Sequence, residues 1–171
     1  MKRKIALIIA TTGATLAVMS FPLEPYATTY QAIMQTEMQQ QEEQQKKADE
    51  YNQYLLAQII TAETGGEAED EMAKVGQVVL NRVNSKYWEF KDSNTIYQVL
   101  TQKGQYPETY RKIVKGLKPS EKAIQISKKL LNGEIKSGLS KDVLWQTGFI
   151  PKFNVKVILK TKYHYYSVLA D

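Results

Sequence analysis

Leu55–Val83, LLAQIITAETGGEAEDEMAKVGQVVLNRV, reads as two helices separated by Gly65-Gly66. Leu55, Leu56, Ile59 and Ile60 recur at helical spacing, and Glu63 follows Ile59 by one turn, on the same apolar face. The glycine pair stops the first helix, because glycine takes the left-handed backbone beyond a last turn at no steric cost. The second helix opens on Glu69, Asp70 and Glu71, where acids favour the positive end of the dipole. Met72, Val75, Val79 and Val83 form its apolar stripe.

Glu63 therefore lies on a buried-looking face and at the negative end of a helix dipole, and both disfavour the ionised form. A carboxyl so placed is the usual material of a general acid. The alternative is a solvated glutamate in a frayed last turn, and spacing does not choose between the two.

The residue inventory excludes other chemistries. The chain has no cysteine and one histidine, His164. A Cys-His peptidase lacks its nucleophile here, and a zinc hydrolase lacks the two or three imidazoles it normally uses. No metal or cofactor is expected. The net charge is +5, and residues 54–171 concentrate it, with 18 Lys+Arg against 12 Asp+Glu. A basic domain suits a polyanion such as an anionic wall polymer. The charges are dispersed and no nucleic-acid motif accompanies them, so nucleic acid is not the expected partner.

Three regions follow from composition. Lys2, Arg3 and Lys4 precede an apolar run from Ile5 to Phe21, giving residues 1–27 the form of a secretory signal or an uncleaved membrane anchor. Export to the outside of the membrane is the consequence. Residues 28–53 are a Gln/Glu-rich polar spacer, helical or disordered, with too few apolar positions for a long coiled coil. A partner-binding helix is the sharper reading of that segment. Residues 54–171 have the ordinary apolar and charged content of one globular domain.

Within that domain, Tyr87, Trp88 and Phe90 occupy a loop, as sugar-stacking faces or as core. Ser93 or Asn94 caps a short helix through Leu100. Gln102, Gln105 and Tyr106 follow in a loop; the two glutamines suit sugar hydroxyls and N-acetyl groups, or tie the loop to its own backbone. Helices are expected over residues 108–115 and from Ser120 to Asn132-Gly133. Beyond Val143 the period changes, and Val157, Leu159, Thr161, Tyr163 and Tyr165 alternate with Lys156, Lys160, Lys162 and His164. That predicts one or two strands. Trp145 lines a sugar cleft or the core, and His164 is structural or cleft-facing.

Ala62-Glu63-Thr64-Gly65-Gly66-Glu67 followed by Val75-Gly76-Gln77-Val78-Val79-Leu80-Asn81-Arg82-Val83 resembles the signature of the spore-cortex-lytic and cell-wall hydrolase family (SleB/CwlJ type). Glu-Thr-Gly-Gly is also similar to the Glu-Ser-Gly-Gly motif of lytic transglycosylases. Gln102-Lys103-Gly104-Gln105-Tyr106 and His164-Tyr165-Tyr166 match in order, so the resemblance runs from Tyr54 to the C-terminus. The chain departs from the family pattern at Thr64-Gly65, Lys103 and Tyr163.

The resemblance implies a mainly α, α+β, lysozyme-like domain with a small β element. It implies a peptidoglycan-cleaving enzyme in which Glu63 protonates the MurNAc–GlcNAc glycosidic oxygen. Glu67, Gln102, Gln105, Tyr106, Trp145, His164 and Tyr166 become the substrate-binding candidates. A lytic transglycosylase needs one carboxylate; a hydrolase needs a second, for which Glu67 is nearest in sequence. A non-catalytic wall-binding module and an envelope adaptor are the competing classes.

Overall fold

Helix α1, Glu24–Thr64, stops at the glycine pair, as its sequence demands. Gly65 and Gly66 have φ of 60° and 89°, and the Gly65 N–H donates to the Thr61 carbonyl at 3.0 Å. The Lys112 ammonium adds a bond to the Ala62 carbonyl at 3.0 Å, a cation at the negative end of the helix. The computed structural model describes residues 24–66 and 68–170. Glu67 and residues 1–23 of the expected leader lie outside the described residues. Among those described, no helix is long and apolar enough to cross a membrane.

Contacts divide the chain into two units, Met1–Glu42 and Glu43–Asp171. In the first, α1 is exposed from residue 30 to residue 42. The second holds the remainder of α1, helices α2 (Glu69–Val83), α3 (Ile96–Thr101), α4 (Pro107–Val114) and α5 (Glu121–Leu131), and strands β1 (Trp145–Thr147), β2 (Val155–Lys160) and β3 (Tyr165–Leu169). The class is α+β and mainly α, as expected.

Helix α2 is the centre of this unit. Its Met72, Val75 and Val79 join Leu56, Ile59 and Ile60 of α1, Val99 of α3 and Ala123 of α5 in one core. Gly76 permits that approach, since a Cβ there would sit 2.5 Å from Leu130 Cδ1 and 3.0 Å from Ile60 Cδ1. Val78 faces the other way, into a cluster with Val143 and Tyr166 under the sheet. A helix buried on both sides must also bury polar residues, which then need partners. Asn81 donates to the carbonyls of Ser140 and Val143, both at 2.9 Å, and Arg82 Nε to that of Leu144 at 2.7 Å. These bonds fasten the segment leading into β1.

The sheet has three antiparallel strands in the order β1-β3-β2, against one or two expected. A register irregularity between Val157 and Leu159, and the turn before β3, break the expected alternation. Tyr166 is consequently the fully buried tyrosine, whereas Val157 is exposed. The cap of α3 is Thr95, whose hydroxyl accepts from the Gln98 N–H at 3.1 Å, and not Ser93 or Asn94. Ser93 is buried instead and bonds Gln102 at 3.2 Å.

Candidate active site

The end of α1, the Gln105-Tyr106 loop and the start of the sheet enclose a cavity of about 450 Å³. Glu63, Arg82, Glu89, Gln105, Tyr106 and Gln146 supply its polar wall, and Trp145, Phe149 and Phe153 much of its aromatic wall. Glu63 is half-buried there because it sits on the last turn of a helix whose preceding turns are core. Thr109, in the first turn of α4 and buried, donates its hydroxyl to Glu63 Oε1. Gln146 Nε2, from the middle of β1, donates to Oε2 at 3.3 Å. Both carboxyl oxygens thus have partners from distant parts of the chain.

The floor carries polar groups the fold leaves without partners. Among the described residues, Arg82 Nη1, the Tyr106 hydroxyl and Gln146 Oε1 are buried and unbonded. The Arg82 guanidinium lies 5.0 Å from the ring centres of both Phe90 and Tyr106, a cation held between aromatic faces. Burial pushes the Tyr106 hydroxyl above its ordinary range and the charge of Glu63 adds to this, while Arg82 opposes it. Native structures leave few buried polar atoms unbonded, and three of the four found among the described residues belong to this cavity, the fourth being Ser167 Oγ on β3, so the cavity is the candidate site. A larger hollow of about 980 Å³ shares Trp145 with this cavity, but Glu63 is not in its wall.

A second carboxylate lines the cavity, and sequence reading missed it. Glu89 Oε1 accepts from Gln105 Nε2 at 2.8 Å, and the Glu89 carbonyl accepts from Gln102 Nε2 at 2.6 Å. Gln102 therefore fastens one loop to another, while Gln105 does so from the cavity wall. Glu89 stands between Trp88 and Phe90, in a loop whose local signal is its aromatics. Thr109 and Gln146 had no local signal at all.

Trp145 packs with Phe90 and Leu144 in the core and also lines the cavity. Tyr106 also lines it. His164 and Tyr166 are not brought there. His164 Nδ1 and the Tyr166 hydroxyl meet Glu71 Oε1 at 2.6 and 2.8 Å, and Thr161 Oγ1 donates to the same oxygen at 3.1 Å. The cause is position: the first turn of α2 faces the end of the sheet, so Glu71 becomes the acceptor for donors on the turn and on β3. Burial, reinforced by the bond to Glu71, drives the Tyr166 hydroxyl far above its ordinary range. Glu67 falls outside the described residues, and among those described no cluster of His, Asp and Glu could hold a metal ion.

Residues 66–163 match the family model described as Cell Wall Hydrolase. The match begins just after Glu63 and takes in Arg82, Glu89, Gln102, Gln105, Tyr106, Thr109, Trp145 and Gln146. No curated protein and no solved structure matches the chain. With more than half its length in that match, the chain belongs to the cell wall hydrolase family, whose members act outside the cytoplasm on peptidoglycan.

Proposed function

We propose that the protein is a lytic transglycosylase, cleaving the bond between N-acetylmuramic acid and N-acetylglucosamine with Glu63 as its acid and base. Glu63 gives a proton to the glycosidic oxygen as the bond to the muramic anomeric carbon breaks. The muramic 6-hydroxyl then attacks that carbon and returns its proton to Glu63. No water enters the product, and the muramic end closes as a 1,6-anhydro ring.

The observation that carries this reading is the pairing of Glu63 with Thr109 in an aromatic-lined cavity. A residue that serves first as acid and then as base must be stabilised in both states. The threonine hydroxyl can donate to a carboxylate and, after rotating, accept from a carboxylic acid. One carboxyl group can therefore complete the cycle without a metal. Trp145, Phe149 and Phe153 offer faces for the C–H surfaces of sugar rings. In this reading residues 1–27 export or anchor the chain, 28–53 form the polar spacer and 54–171 the catalytic domain.

Digestion of purified peptidoglycan, followed by mass analysis of the fragments, tests the proposal. The expected muropeptides are one water lighter than hydrolysed ones and resist borohydride reduction. Reducing muramic ends as the main product would replace transglycosylation with hydrolysis, and free peptides beside intact glycan would overturn glycosidic cleavage altogether.

A further inference from the structure

We infer that Glu89 is a second catalytic residue, whose negative charge stabilises the positive anomeric carbon while Glu63 handles the proton; this rests on the glycosidic reading of the Glu63 cavity. Three observations support it. Glu89 lines the same cavity as Glu63. Its carboxylate is held through Oε1 by Gln105, and among the described residues no donor bonds Oε2. Its backbone is held separately by Gln102, itself bonded by Ser93. Two side chains of one short loop thus hold Glu89, Gln105 at its carboxylate and Gln102 at its backbone carbonyl, and preorganisation of this kind is what electrostatic stabilisation requires.

The chemistry needs such a charge. Glycosidic cleavage passes through an oxocarbenium-like state, with positive charge spread over the anomeric carbon and ring oxygen. The bond from that carbon to the leaving oxygen breaks as Glu63 delivers its proton, and the 6-hydroxyl closes the new bond and gives its proton back. Glu89 neither gains nor loses a proton. Two carboxyl groups in one cavity then divide the work by environment. Glu63 is paired with a hydroxyl that can both donate and accept, whereas Glu89 is held by an amide N–H that only donates and leaves its second oxygen free to face the cation.

The competing explanation is a structural tie between loops, and Glu89→Gln separates the two. Glutamine still offers an oxygen to Gln105, so the tie survives and only the charge is lost. Steady-state rates on solubilised glycan strands, with products identified by mass, are measured for the full chain, Glu89→Gln, Glu89→Asp and Gln105→Leu. Glu89→Gln is expected to lower kcat about tenfold to a hundredfold, the scale of one charge–charge interaction at intermediate dielectric. KM should move less than about threefold, since the charge acts on the transition state. Glu89→Asp should recover part of the rate, and Gln105→Leu should lose less than Glu89→Gln.

Wild-type kcat in Glu89→Gln would overturn the inference and leave a loop tie. A change of product in Glu89→Gln, from reducing to anhydro ends, would overturn it in favour of water activation by Glu89. Failure of the wild-type chain to cut glycan would instead remove the function on which it rests, so the two failures are distinct.

Discussion

Glu63 and Glu71 flank the same glycine break, one ending a helix and the other beginning the next, and the fold uses them in opposite ways. Glu71 is the more deeply buried, with 5% of its side chain exposed, and one of its oxygens takes three donors from the far end of the chain. Glu63 is only half-buried and opens onto a cavity whose floor holds buried polar atoms without partners. Burial and hydrogen bonding alone would have picked Glu71. What distinguishes the candidate site is where unfinished bonding gathers: three of the four buried polar atoms without partners among the described residues line the Glu63 cavity, and only Ser167 Oγ lies on β3 beside Tyr166.

The largest expected effect tests that contrast at Glu63. Glu63→Gln keeps the shape and the acceptor for Thr109 but cannot deliver a proton. Lytic activity should fall at least a hundredfold, within the 10²–10⁴ range typical of general acid–base catalysis, with the melting temperature almost unchanged. Residual activity above about a hundredth of wild type would show that the acid lies elsewhere.

The mirror experiment is Glu71→Ala. His164, Tyr166 and Thr161 would lose their common acceptor in a buried setting, at a cost of about 3 kcal/mol of stability by denaturant unfolding. Activity per folded molecule should stay within about threefold, under ~1 kcal/mol of barrier. A catalytic collapse in a well-folded Glu71→Ala protein would erase the distinction drawn between the two acids.

How legible was this contrast in the sequence? The helices announced themselves through local chemistry: apolar spacing into Glu63, Gly65-Gly66 in the left-handed region, Ser120 as a cap and Asn132-Gly133 as a stop. Glu63 was readable for the same reason, since its surroundings along the chain place it. Its partners were not. Thr109 and Gln146 meet it across sequence separations of 46 and 83 residues, and nothing in their own neighbourhoods points to an acid. Glu89 was hidden by its aromatic neighbours. The strands misled through parity, because one irregularity near Ile158 and a turn at Thr161–His164 exchanged the faces of Tyr165 and Tyr166. Ser93, Asn94 and Thr95 are all competent caps along the chain; burial removes Ser93, and the helix begins after Thr95 and not after Asn94.

Thr109→Val sharpens the comparison from the Glu63 side with a smaller effect. Valine fills the buried space of threonine without the hydroxyl that we assign to both states of the acid. A fall in kcat of about tenfold is expected, the order of one hydrogen bond to a charged group. Thr109→Ser should restore most of it. Equal rates in wild type and Thr109→Val would leave Thr109 as packing only.

The smallest effect is on the Glu71 side, and pH gives it a signature. Removing the Tyr166 hydroxyl as Tyr166→Phe deletes one of three donors to Glu71 and should cost about 1 kcal/mol near pH 8. Burial and the bond to Glu71 hold that hydroxyl far above the ordinary tyrosine range in the folded protein, whereas in the unfolded chain it ionises near pH 10. Above about pH 10 the unfolded state has lost a proton that the folded state keeps, so the contribution of this tyrosine to stability declines as pH rises, by about 1.4 kcal/mol per unit. The phenylalanine variant has no such proton. Every other ionisable group is common to the two proteins, so the difference between their curves reports Tyr166 together with its coupling to Tyr106. The stability advantage of wild type should therefore hold steady up to about pH 9.5, shrink above it, and reverse about a unit past the unfolded pKa. Parallel stability curves through that range would mean that Tyr166 ionises alike in both states, and that the network around Glu71 is looser than its bonds imply.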